Sequence, residues 1–268
     1  VADRQDDHLG AVGLKPNVPD DLYRIIAGPL KGYWFCEPGP SHWNYLTGSY
    51  EPAIQSSYGG LLPGGTFYDL GAHYGFHTIF GARLVGPAGV VYAFEPQPKN
   101  REHLVRNIAA NGLEHHVVVW PAAVSDEDGE AEFHIATERS DLGKLSTEVD
   151  HAEWNDQRIA FERVRVPTVR LDTFVQQWGI RPPTCIKIDV EGSEAKVLRG
   201  AMHTLQTYKP VLILSTHGTR MLLACLEILT ETKYQTFPIH GDDVLLCLWC
   251  ETPAQVDSEP ITIQLGGS

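Results

Sequence analysis

Thr66-Phe67-Tyr68-Asp69-Leu70-Gly71-Ala72-His73-Tyr74-Gly75-Phe76 is the stretch that decides the fold. Thr66 to Leu70 is β-branched, aromatic and apolar, and reads as a short buried strand. Gly71 and Gly75 then allow a tight turn and let a ligand come close to the backbone. From Phe76 to Leu84 the spacing of Phe76, Ile79, Phe80, Ala82 and Leu84 predicts a helix, which Gly86-Pro87 ends. A strand that breaks into a glycine turn and a helix N-terminus is the nucleotide corner of an open α/β sheet.

The next strand narrows the ligand. Val90-Val91-Tyr92-Ala93-Phe94 ends in Glu95. A carboxylate at the tip of the second strand can accept hydrogen bonds from both hydroxyls of a ribose. The turn is Asp-x-Gly-x-x-x-Gly, not G-x-G-x-x-G, and its acid, Asp69, stands at the first strand's tip. A carboxylate there repels a pyrophosphate and tolerates an ammonium group. Asp69 and Glu95 together therefore favour S-adenosylmethionine (SAM), with its ammonium and its sulfonium, over NAD. A glycine turn without a ligand would leave both acids unexplained.

The bulk properties set bounds. The chain has 268 residues, enough for one large domain with an N-terminal extension, and 43% of them are hydrophobic. Lys and Arg number 21 and Asp and Glu 34, for a net charge of −13. No basic stripe is visible, which weighs against a nucleic-acid substrate. The five cysteines (Cys36, Cys185, Cys225, Cys247 and Cys250) are odd in number and irregular in spacing, which argues against a disulfide framework. Cys247-Leu248-Trp249-Cys250 has a C-x-x-C spacing but no second pair, and reads as a strand with buried thiols. No apolar run approaches membrane-spanning length and no signal peptide is visible, so the expected location is cytoplasmic, with no membrane partner.

Taken in order, Val1 to Asp21 is a polar lead. Leu22 to Gly65 mixes aromatics with glycine and proline, which predicts short strands and a helix (Ala53 to Leu62) that pack onto the main sheet; residues 1–60 are expected to form this extension or lid, and residues 61–268 the main domain. Glu51, just before that helix, is either a helix-start acid or a contact to the cofactor or substrate. Pro96 to Asn111 predicts a second helix and His116 to Trp120 a third strand. Past it, Ala122 and Ala123 leave room for an adenine and Ser125 or Asp126 could bond its amino group; a plain turn is the alternative. Glu130 to Ile135 and Phe161 to Val169 alternate as strands. The polar stretch between them, Thr137 to Arg158, reads as substrate cover or disorder. Leu171 to Gly179 reads as a helix.

Cys185-Ile186-Lys187-Ile188-Asp189-Val190-Glu191-Gly192 is the second chemical centre. It predicts a buried strand ending in two acids and a glycine, followed by a helix from Ser193 to Arg199. Beside the first strand, Asp189 would emerge at the switch point of the sheet, next to Asp69. Lys187, inside the strand on Asp189's face, needs a partner, and Asp69 is the expected one. Pro210 to Leu214 predicts the next strand, with His217 just past its tip. His217 is a candidate general base, or else a hydrogen-bonded loop histidine. Arg220 to Glu231 reads as a helix, and Tyr234 to Ile239 with Val244 to Trp249 as a terminal hairpin; Ile261 to Leu265 could add an edge strand.

This order of elements resembles a class I SAM-dependent methyltransferase, an α/β fold with a doubly wound, mostly parallel seven-stranded sheet, a terminal antiparallel hairpin and, here, an aromatic N-terminal extension. In detail it is similar to the FkbM family. The matching blocks are Gly28-Pro29-Leu30-Lys31-Gly32, Gly48-Ser49-Tyr50-Glu51-Pro52, Asp69 to Gly75, Phe94-Glu95-Pro96, Asn107 with Asn111, Ala122 to Asp126 with Gly129, Leu171-Asp172, and Ile186 to Gly192 with Glu194, Leu198 and Gly200. The resemblance implies O-methylation of hydroxyls on sugars, polyketides and other natural products, with some members acting on nitrogen. The departures are His73, where the family often has asparagine, and Ser215-Thr216-His217, where many members carry a glutamate.

The residues expected at the cofactor are Glu51, Asp69, Gly71, Ala72, His73, Tyr74, Gly75, Glu95, Pro96, Ala123, Ser125 and Asp189. Those expected at the chemistry are Asp189, His217 and Glu191. The acids could instead hold a divalent metal that acidifies the acceptor hydroxyl. The expected partners are a small-molecule or glycan hydroxyl as substrate and, as a further candidate, a second copy of the chain in a homo-oligomer. An NAD-linked oxidoreductase, or a SAM-binding protein without transfer activity, are the competing readings.

Overall fold

A computed structural model describes residues 21–36, 43–58, 62–136, 143–145, 161–177, 179–239 and 243–251. The chain divides into two compact units, Val1–Pro52 and Ala53–Ser268. In the first, β1 (Leu22–Arg24) and β2 (Trp34–Cys36) form an antiparallel hairpin, followed by α1 (Trp43–Thr47). The ring of Tyr45 in α1 packs at a tilt against both Phe35 and Tyr50, so the aromatic residues of this segment build a small core of their own. Helix α2 (Pro52–Ser57) begins at the boundary between the units.

The second unit alternates strand and helix: β3 (Thr66–Leu70), α3 (Phe76–Val85), β4 (Val90–Phe94), α4 (Pro98–Ala110) and β5 (Val117–Trp120). After β6 (Ala123–Val124), β7 (Gly129–Ala136), β8 (Gly143–Leu145) and β9 (Phe161–Val169) come α5 (Leu171–Gln177), β10 (Cys185–Ile188), α6 (Glu194–Gly200), α7 (Met202–Tyr208), β11 (Val211–Ser215), α8 (Thr219–Glu231), β12 (Tyr234–Ile239) and β13 (Val244–Trp249).

Seven strands join in the order β12-β13-β11-β10-β3-β4-β5. All neighbours from β11 to β5 pair in parallel; β13 runs antiparallel to β11 and β12. Every residue of β3 is buried, because helices cover both faces of a parallel sheet. Tyr68, Phe94, Phe174, Ile186, Leu198 and Leu212 belong to the main core. The chain leaves β3 toward β4 and β5, then returns to build β10 and β11 on the other side. The switch point therefore lies between β3 and β10, and the crevice at their carboxyl ends is the place for a ligand.

The expected fold class holds, terminal hairpin included. The structure adds a four-stranded sheet, β6-β9-β7-β8, and helix α7. Ala122 to Asp126 is thus not a plain turn: Ala123 and Val124 pair in parallel with Thr168 and Val169. Most of Thr137 to Arg158 lies outside the described residues, as does Ile261 to Leu265. Cys247 is buried in β13 and Cys250 lies just past its end. Burial pushes the Cys247 thiol well above its usual range, which makes it inert. No helix among the described residues is long and apolar enough to cross a membrane.

Candidate active site

The glycine turn after β3 is held by the tip of β4. The Gly71 and Ala72 amides both donate to the Phe94 carbonyl, at 3.1 and 2.9 Å. Gly71 has φ +82°, and a Cβ there would run into the carbonyl oxygen of Asp189. Only glycine lets the tips of β3 and β10 approach this closely. Gly75 (φ +89°) is the N-cap of α3, and a Cβ on it would strike Leu104. His73, between them, also takes a left-handed φ of 50° and stacks on Tyr74 with centroids 4.1 Å apart. Asn107 Nδ2 donates to the Tyr74 carbonyl at 2.8 Å and pins the turn to α4.

Glu95 closes this corner from β4. Its Oε2 accepts the His73 amide at 2.7 Å and its Oε1 the Gln97 amide at 2.8 Å. Glu95 is 4% exposed. Burial pushes its carboxyl up to about 7, against the pull of those two amides and of Arg101. A carboxylate has about four acceptor sites and two are filled, so two remain for a pair of hydroxyls. Arg101 donates to the Glu95 and Pro96 carbonyls at 3.1 and 3.0 Å and fixes the strand exit.

Asp69 lies deep at the tip of β3. It is fully buried, its Oδ2 accepts the Thr78 hydroxyl at 2.6 Å, and its Oδ1 has no hydrogen-bond partner and stands 3.7 Å from Lys187 Nζ. It ties the turn to α3 and β10 from beneath. The register explains the pairing: Lys187 and Asp69 are directly opposite on β10 and β3, on one face. Lys187 also donates to Asp189 Oδ2 at 3.2 Å, so the buried lysine ties the two strand tips together.

Beyond β10, Asp189, Glu191 and His217 converge. His217, past the end of β11, places Nε2 at 3.7 Å from Asp189 Oδ1 and 3.5 Å from Glu191 Oε1. These side chains are 22%, 28% and 29% exposed for Asp189, Glu191 and His217, so the cluster opens to solvent. The ring's other nitrogen, Nδ1, lies 2.7 Å from Glu194 Oε1. A carboxylate only accepts, so Nδ1 carries the proton. Burial acts to lower the imidazole's pKa, but the Glu194 hydrogen bond and the three carboxylates outweigh it and raise it to about 9. Glu191 is held at φ 56°, a strained conformation for a residue with a side chain.

The structure therefore assembles Gly71 to Gly75 with Glu95, and Asp189 with Glu191 and His217, at adjoining strand tips. Ser125 is buried, with its hydroxyl 3.1 Å from Asp126 Oδ1, and its carbonyl packs on Gly200 of α6. Glu51 belongs to the first unit, where it takes φ 43°. Two roles went unread in the sequence: Thr78, which anchors Asp69, and Glu194, which the family blocks include without a role and which orients His217.

Residues 69–236 match the family described as Methyltransferase FkbM domain. The chain is similar to the 31-O-demethyl-FK506 methyltransferase FkbM of Streptomyces tacrolimicus, 33% identical over 162 residues, covering 52% of this chain and 60% of that protein. It is also similar to the hexuronic acid methyltransferase AglP of Haloferax volcanii, 25% identical over 171 residues, covering 63% of each. This chain thus spans about three-fifths of the length of these curated relatives. Among solved structures, the methyltransferase FkbM of Methylobacillus flagellatus is 20% identical with a TM-score of 0.47, covering 69% of this chain and 42% of that one. With its sheet order, its acid-tipped second strand and a family match over more than half its length, this chain belongs to the FkbM methyltransferase family.

Proposed function

We propose that this chain transfers a methyl group from SAM to a hydroxyl oxygen of a sugar, glycan or other natural product. The observation that carries the reading is the placing of Asp189, Glu191 and His217 beside the Gly71–Glu95 corner, across the switch point of the sheet. The names of two relatives support it: one acts on an O-demethyl compound, the other on a hexuronic acid.

The corner fits SAM. Glu95 keeps two acceptor sites for the ribose hydroxyls, and the Gly71–Gly75 turn offers close backbone approach for the amino-acid end. When bound, SAM supplies a methyl group on a cationic sulfur, already primed for displacement. The chain's contribution is to position the acceptor and to take its proton. An alcohol is a poor nucleophile, so its proton must leave as the new C–O bond forms. Asp189 and Glu191 are the proton acceptors. His217, with Nδ1 bound to Glu194, presents Nε2 to the same opening, where it can bond the acceptor oxygen.

The test is incubation with SAM and a panel of sugars, uronic acids and macrocyclic alcohols, read by mass spectrometry and by SAH release. The expected products gain one methyl on oxygen, and Asp189→Asn lowers turnover by about 100-fold or more. Methylation confined to nitrogen acceptors would overturn the O-methylation reading.

A further inference from the structure

We infer that Asp189, Glu191 and His217 form a binding site for a divalent transition cation, with Glu194 as the residue that orients the histidine. Three side chains of metal-binding type, two carboxylates and an imidazole, converge here from two loops, and one ligand atom from each lies within 4.8 Å of the others. The separations from His217 Nε2, 3.7 Å to Asp189 Oδ1 and 3.5 Å to Glu191 Oε1, are too long for hydrogen bonds. They are close to the spacing of donors that share one cation. Metal–ligand bonds of roughly 2.0–2.2 Å at a tetrahedral angle put two donors about 3.3–3.6 Å apart.

The surroundings of the histidine carry the argument further. A metal-bound imidazole characteristically donates its far N–H to a carboxylate, which fixes the tautomer and aims the free nitrogen at the ion. His217 does this: Nδ1 binds Glu194 Oε1 at 2.7 Å, which leaves Nε2 facing Asp189 and Glu191. Glu194 is fully buried with its carboxylate turned to the ring. Its Oε1 is further held by the Gly192 amide at 3.0 Å, and its Oε2 has no hydrogen-bond partner.

One imidazole and two carboxylates suit Mn²⁺, Fe²⁺ or Zn²⁺, and each of these would keep open positions for other oxygen ligands. An acceptor hydroxyl bound there would lose its proton more readily. That role rests on the O-methylation reading; the binding of the ion does not.

The experiment uses Mn²⁺ alone, titrated into the full chain and followed by the electron paramagnetic resonance of the free ion. The expected result is one Mn²⁺ per chain, with a nitrogen modulation from the coordinating ring. His217→Ala is expected to abolish the modulation and weaken binding at least about tenfold, and Glu194→Gln to weaken it about 10–100-fold. Thermal unfolding and SAH titration check that both variants are folded. Retained stoichiometry and affinity in His217→Ala, or no nitrogen modulation in the wild-type protein, would overturn the proposal. Loss of SAH binding with the Mn²⁺ site intact would count against the methyltransferase reading and leave the metal site standing.

Discussion

Glu95 gives the chain a pH signature that can be worked out in advance. Burial raises its carboxyl from 4.5 to about 7 in the folded protein, worth roughly 3 kcal/mol. The sign follows from linkage. A raised pKa means that the folded state holds the proton more tightly than the unfolded chain. The stability this contributes is fully present below pH 4.5 and is lost as pH rises through about 7. Ribose hydroxyls, however, need the ionised carboxylate. SAH affinity should therefore reach its plateau near pH 8, fall about tenfold at pH 6 and approach a hundredfold loss at pH 5. The ligand-free protein gains stability from this group over the range in which it loses affinity. Calorimetric titration with SAH, with melting curves in parallel, reads both quantities. Glu95→Gln keeps the shape, cannot titrate, and should give weak, pH-independent affinity. A wild-type profile that is flat across this range, or one that Glu95→Gln reproduces, would refute the reasoning.

Further outcomes follow from individual contacts. Gly71→Ala puts a Cβ in a left-handed conformation, worth about 1–2 kcal/mol, and against the Asp189 carbonyl as well; melting should drop by at least about 4 °C, with SAH affinity lost in the fraction that folds. Lys187→Ala leaves Asp69 buried without its cation and should cost about 3–5 kcal/mol in urea unfolding, part of which Asp69→Asn in the same chain should restore. Asp172 accepts the His203 and Thr204 amides at 3.0 and 2.8 Å and so caps α7 from α5; Asp172→Ala should cost about 1–2 kcal/mol with no change in SAH affinity.

The sheet was legible because its strands are short apolar runs bounded by glycine and acids. Thr66–Leu70 and Val90–Phe94 fall where the residues alone put them. The partnership of Lys187 and Asp69 was legible too, since a charge in a buried strand demands a counter-charge and parallel register supplies one. The four-stranded sheet was harder to see. Its strand β6 is two residues long, and its longest pairing joins Gly129–Ala136 to Phe161–Val169 across a polar stretch with no period. Helix α7 abuts α6 at Gly200-Ala201 and carries His203, Thr204 and Thr207, so no apolar stripe announces it. At the site, Asp69 was legible as the acid at the strand tip. In the structure, Thr78 and Lys187 enclose it. Glu194 lies 23 residues from His217 in the chain, and only folding brings α6 against the end of β11.

The central claim is that the Gly71–Glu95 corner binds SAM. The most direct measurement is a calorimetric titration of the chain with SAH near pH 8, with NADH as the control. The account predicts one SAH site of micromolar affinity that Glu95→Ala abolishes, and no heat from NADH. Saturable NADH binding, with none for SAH, would contradict it.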